Sequence, residues 1–184
     1  CSSDLVETSE SDLNGKVHHG SVLSTPHIDL TLSSDPFALC STEQSKKAVF
    51  ETLLLSNGSY RIPGNPNNES LISFYDDLQE GYLLKNNTLG SPLIQRGYHT
   101  FTHAIDVLAT THALLDCGGS RFLKDFEKTA ILLAALGHDA LHLGVNNQYL
   151  INTNHHLVEE FGLESLQEKR SIDFLLKLLK KNNN

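Results

Sequence analysis

The sequence predicts an all-α fold, a bundle of helices without a sheet. Three observations lead there. Apolar residues recur at three- and four-residue spacing in several windows. Strand signals, alternating apolar and polar runs between turn clusters, are absent. The run Ala130 to Leu136 is apolar on every side, the pattern of a helix buried among others. At 184 residues the chain is long enough for one domain with a sizeable core.

The elements follow in order. Residues 1–34 are rich in Ser, Thr, Asp and Glu without a sustained period, which predicts a disordered or linker segment. His18-His19 falls there and reads as a solvated pair. Helix signals begin at Ser41-Thr42-Glu43, and Lys47 to Leu55 predicts a short helix ended by Asn57-Gly58. Residues 63–68 (PGNPNN) form a loop. Ser70 is placed to cap a helix through Leu71, Phe74, Tyr75 and Leu78, with Gly81 near its end. Lys85 to Gly97 reads as a second loop. From His99, the positions His103, Asp106 and Thr110 form one polar stripe, opposite Phe101, Ile105, Leu108 and Leu115, until Gly118-Gly119 stops the helix. Asp125 to Leu136 is the buried helix. The asparagines around Tyr149-Leu150-Ile151 suggest a short helix, and Glu164 to Lys181 an amphipathic one whose acidic start and basic end suit the helix dipole.

Composition narrows the function. A net charge of -8 with no basic cluster argues against a nucleic-acid groove. A small anionic ligand is compatible only if metals supply local positive charge. Three cysteines without a C-x-x-C pair suggest neither a disulfide framework nor a thiolate zinc site, and favour a reducing compartment. No apolar run reaches transmembrane length. A chain that begins at Cys1 and contains no methionine is expected to be part of a longer protein.

The chemistry-bearing residues are His99, His103, His138, Asp139 and His142. Taken alone, His99 and His103 fit an exposed polar helix face as well as a metal site. His138-Asp139 alone fits a capped, hydrogen-bonded core histidine. Consecutive residues diverge by about 100° on a helix, so both can reach one ion only at a helix end or bend. Gly137 and Gly144 make such an irregularity plausible. Together these side chains point to imidazole and carboxylate ligands around a divalent cation.

Tyr98-His99-x-x-x-His103-Ala104-x-Asp106-Val107 resembles the first signature of the class I cyclic-nucleotide phosphodiesterases, part of the HD-domain superfamily. The longer run from Leu133 to Thr153, through Gly137-His138-Asp139-x-x-His142-x-Gly144-Val145-Asn146-Asn147-Gln148, resembles the second. The similarity covers about residues 70–181, with an insertion between Leu83 and Gly97. The resemblance implies a helical bundle of the HD-domain/phosphodiesterase type, with residues 35–184 forming the N-terminal portion of its catalytic domain. It implies hydrolysis of cAMP or cGMP to the 5′-nucleotide by a metal-bridging hydroxide. It assigns His99 as the general acid and Glu168 as its support. His103, His138 and Asp139 become ligands of a first metal, usually zinc. Asp139 also reaches a second metal, magnesium or manganese. Tyr98, His142 and Asn147 fall near the substrate, the second metal and its waters. An intracellular signalling enzyme is implied, in the cytoplasm or at the cytoplasmic face of a membrane, with protein partners or regulatory domains elsewhere in the protein.

Two departures support an alternative, a degenerate, non-catalytic domain acting as a structural or interaction subunit. Leu141 and Leu143 stand where the family has an aspartate and a proline. Lys169, Arg170 and Ser171 stand where it commonly has Asn and two histidines. Another HD-type phosphohydrolase is a third possibility, and Val145-Asn146-Asn147-Gln148 favours the cyclic-nucleotide branch over it.

Overall fold

In chain order the helices are α1 (Glu43–Glu51), α2 (Asn68–Leu83), α3 (Phe101–Asp116), α4 (Asp125–Gly137), α5 (Asn147–Asn152), α6 (Leu157–Phe161) and α7 (Leu166–Lys181). The computed structural model describes residues 30, 35, 40–56, 68–83 and 98–182, and no strand occurs among them. The expected N-terminal linker (apart from Leu30), His18-His19, the Asn57-Gly58 stop, the loop at 63–67 and the insertion after Leu83 lie outside the described residues. No helix among the described residues is long and apolar enough to cross a membrane.

Local chemistry sets the helix ends. Thr42 and Ser45 form a reciprocal capping box at the start of α1, which continues into a π turn over Thr52–Ser56. The helix that Ser70 was expected to cap starts earlier, at Asn68, so Ser70 lies inside its first turn. Thr100 caps α3, its hydroxyl accepting from the His103 N–H at 3.3 Å. Gly118, at φ 124°, follows the end of α3. Asn146 caps α5 by accepting from Tyr149 N–H at 2.8 Å. Ser165 precedes α7 in the left-handed region, so Glu164 lies outside the helix.

The amphipathic faces meet in one main core. Phe50, Phe74, Leu78, Ile105, Leu108, Leu132 and Leu136 are among its fully buried members, with Leu175 and Leu178 closing it from α7. Phe101, Ile105, Leu108 and Leu115 of α3 are all buried, as their spacing predicts. An aromatic ladder crosses this core: Phe50 to Tyr75 at 4.9 Å, Tyr75 to Phe101 at 5.2 Å and Tyr82 to Phe101 at 5.5 Å between ring centroids. A smaller core of Leu143, Leu150, Leu157 and Leu166 anchors the segment after α4. Two glycines allow α7 to approach. A Cβ on Gly81 would collide with the Phe174 ring, and one on Gly137 would lie 2.9 Å from Leu175 Cδ1. Gly137 immediately precedes His138, so this packing locates the His-Asp pair.

Candidate metal centre

Helix α4 ends at Gly137, and His138 to Leu141 form a turn. That break lets two consecutive side chains face one centre. The donor atoms of His103, His138 and Asp139 lie within 4.8 Å of one another, and so do those of His99, Asp139 and His142. Asp139 is common to both groups. His138 Nε2 is 3.1 Å and His103 Nε2 is 3.7 Å from Asp139 Oδ2. His138 and Asp139 are both half-buried at the helix end.

Hydrogen bonds decide which nitrogens are available. His138 Nδ1 lies 2.8 Å from Ala135 O, and a carbonyl can only accept, so Nδ1 carries the proton. Its Nε2 faces Asp139 and is the nitrogen left to act as a ligand, an arrangement that fixes ring orientation in metal-binding histidines. His142 is different. Its Nδ1 accepts from Gly144 N–H at 3.0 Å, so in the neutral ring Nε2 is a donor. In that tautomer His142 offers a proton rather than a lone pair. The donor set of His103, His138 and Asp139 therefore fits a directly held divalent cation, and His142 fits a contact to water or phosphate.

His99 departs from its expected place. It precedes the Thr100 cap and lies outside α3, because Thr100 takes the capping position. Its ring instead stacks on His142, with centroids 3.7 Å apart and planes 20° from parallel. Tertiary contact, not a helical stripe, brings it to Asp139. Tyr98 is largely exposed and packs its ring 4.2 Å from that of His103. Glu168 Oε2 accepts from Asn147 Nδ2 at 2.9 Å. Asn147 Oδ1 in turn accepts from Gln167 N–H at 3.2 Å, so Asn147 ties the start of α5 to α7.

The electrostatics follow from this packing. Burial lowers the His103 pKa, and the neighbouring His138 charge lowers it further. The hydrogen bond to Asp139 raises His138. Burial pushes the Asp139 carboxyl up, but the His138 hydrogen bond and the charges of His138, His99 and His142 outweigh it, leaving a net lowering. Burial, then the His99 charge, lowers His142.

Sequence reasoning missed the residues that shape the turn. Tyr82, on α2, donates to Leu136 O at 2.8 Å and accepts from Asp139 N–H at 3.2 Å. Gln167 and Ser171 are nearly fully buried on α7 and hydrogen-bond the segment 140–145. A signal for them existed. They occupy positions i and i+4 on the face that also carries Leu175 and Leu178, and polar side chains on a buried face need partners.

A second histidine pair lies outside the centre. His155 Nδ1 accepts from Leu157 N–H at 3.3 Å, while its Nε2 is buried without a hydrogen-bond partner. Burial, then the charges of His156 and Arg170, hold its pKa below 6.5. The folded state thus binds this proton less readily than the unfolded chain. The associated stability is complete above the unfolded value and is lost as pH falls through the folded one. The metal-free protein is expected to unfold at lower urea concentration at about pH 5.5 than at about pH 7.5, and His155→Asn to shrink that difference. An unchanged pH dependence in the variant would contradict this assignment.

Helix α4, expected to be buried on every side, buries only one face, with Ala130, Ile131 and Ala134 exposed on the other. An all-α domain that gathers two His/Asp groups where this helix ends is a helical domain with residues that could hold a metal ion. Residues 98–184 match the family model described as 3'5'-cyclic nucleotide phosphodiesterase. This chain belongs to the class I cyclic-nucleotide phosphodiesterases, and the matched segment is part of their catalytic domain. It is similar to the "Probable 3',5'-cyclic-AMP phosphodiesterase pde-4" of Caenorhabditis elegans, 38% identical over 87 residues, covering 47% of this chain and 13% of the relative. It is also similar to the mouse "Dual specificity calcium/calmodulin-dependent 3',5'-cyclic nucleotide phosphodiesterase 1C", 31% identical over 171 residues, covering 82% of this chain and 22% of the relative. The rat protein of the same name matches at 31% over 171 residues, 82% of this chain and 20% of the relative. The chain therefore spans 13% to 22% of the length of these relatives.

Proposed function

We propose that this chain supplies the metal-holding part of a catalytic domain that hydrolyses a 3′,5′-cyclic nucleotide, cAMP or cGMP, to the 5′-nucleotide. The observation that carries this reading is the convergence of His103, His138 and Asp139 within 4.8 Å, on a turn where His138 Nε2 is left as the ligand atom. These three residues suit zinc, and the oxygen of Asp139 also serves a harder ion, magnesium or manganese. When bound, such cations lower the pKa of water and offset charge on the phosphoryl oxygens.

The chain's own residues do the rest. His99 is the general acid, passing its imidazole proton to the 3′-oxygen as the P–O3′ bond breaks. Stacking on His142 fixes the plane of its ring. His142 presents Nε2–H to the phosphate or to a water beside it. Asn147, held by Glu168, orders the floor of the site, and Tyr98 shields the outer face of His103. Because the chain carries a net charge of -8, attraction of an anionic substrate depends on the local positive charge at this centre.

In the complete protein, His99→Ala is expected to lower kcat for cAMP or cGMP by about 10²- to 10⁴-fold, with metal content unchanged by elemental analysis. Surviving turnover would refute the acid assignment. The second reading, a non-catalytic scaffold, is favoured by Leu143, a buried apolar side chain in the segment where the family carries a proline. Stoichiometric metal in the purified protein favours the enzyme, and its absence the scaffold.

A further inference from the structure

The turn carrying the His-Asp pair has a shape that its own residues do not favour. Leu141 lies at φ 62°, a left-handed conformation in which residues other than glycine, asparagine and aspartate are uncommon. Backbone groups on both sides of it are caught by other elements. Leu141 N–H donates to Gly81 O of α2 at 3.2 Å. Leu141 O accepts from Arg170 Nη1 at 2.9 Å, and Ala140 O accepts from Ser171 Oγ at 2.7 Å. Gln167 continues the contact, accepting from Leu143 N–H at 3.0 Å and donating to Val145 O at 2.6 Å. Arg170 and Ser171 lie three and four residues after Gln167, so one face of α7 grips the whole segment.

We infer that Arg170 and Ser171 are positioning residues of the metal centre: by hydrogen-bonding the carbonyls of Leu141 and Ala140, they hold the turn that aims Asp139 at His103 and His138. The inference rests on the metal site proposed above. It accounts for two departures at once. Leu141, in place of an aspartate, and Arg170-Ser171, in place of two histidines, lie on opposite sides of the same contact. A side chain that could accept a hydrogen bond is missing on the turn, and α7 supplies donors to the turn's backbone instead. Ala140 is the neighbour of Asp139 in the chain, and His142 the neighbour of Leu141. Release of either carbonyl therefore moves a site residue by rotation about adjacent bonds.

The test titrates the protein with zinc alone, by calorimetry, well below the unfolding midpoint of each metal-free variant. Arg170→Met and Ser171→Ala are expected to weaken zinc binding by about 10- to 100-fold, the usual cost of removing a group that orients a ligand. Leu141→Asn placed on Arg170→Met is expected to recover the wild-type affinity to within about threefold, because asparagine adopts the left-handed turn more readily. Recovery is the readout that a merely stabilising role of Arg170 would not produce. Wild-type affinity in Arg170→Met and Ser171→Ala would overturn the inference. So would a loss in Arg170→Met that Leu141→Asn leaves uncorrected, since the effect would then bypass the turn. If the wild-type protein itself binds no zinc, the proposed function fails first, and the inference with it.

Discussion

Asp139→Asn is expected to abolish metal retention and to reduce cyclic-nucleotide hydrolysis by the complete protein about a thousandfold, equivalent to several kcal/mol of transition-state stabilisation. The substitution keeps the shape of the side chain and removes its charge. Asp139 is the only carboxylate in either ligand group, and the other members are imidazoles. Neutral imidazoles bind a cation but do not offset its charge, so the site loses its single anionic ligand. The same change removes the partner that raises His138, whose pKa should fall. Metal analysis and turnover of the variant check the first claim, and the titration of His138 by NMR the second. Full metal content in Asp139→Asn would contradict the proposed centre.

Leu136→Ala should act through stability instead, lowering the unfolding free energy by about 2–5 kcal/mol. Leu136 is fully buried in α4, two residues before His138. Truncation leaves a cavity where α4 meets the other helices of the main core. The backbone carbonyl that receives the Tyr82 hydroxyl is retained, so the turn at Asp139 keeps that support. Urea unfolding measures the loss, and zinc binding by the remaining folded protein should stay close to wild type. Leu176→Ala on the exposed side of α7 serves as the control, with a change within about 0.5 kcal/mol. Equal effects of the two variants would place Leu136 outside the core.

The helices were legible because their signals are local. The 3.6-residue spacing of Phe101, Ile105, Leu108 and Leu115 named the buried face of α3, and all four are buried. The apolar run of α4 named a helix but not its burial: Leu132, Leu133 and Leu136 face the core, while Ala130, Ile131 and Ala134 are exposed. The ligand-type residues stood out as a set in the sequence, and the structure brings their donor atoms within 4.8 Å in two groups that share Asp139. His99 was misplaced on the helix because periodicity cannot register that Thr100, a better cap, starts the helix after it, at Phe101. Ser70 failed as a cap for a related reason: α2 begins upstream of it.

By itself the sequence determined an all-α chain, the buried face of α3, and the residue types available for a cation, because these depend on side chains close together along the chain. Only the tertiary structure decided how they converge. The stacking of His99 on His142, the seat that Tyr82 provides for Asp139, and the grip of Gln167, Arg170 and Ser171 on a left-handed Leu141 join residues on different elements. No local pattern encodes such contacts. They form when packing of α2, α4 and α7 removes water from their backbone groups, which must then find partners in one another.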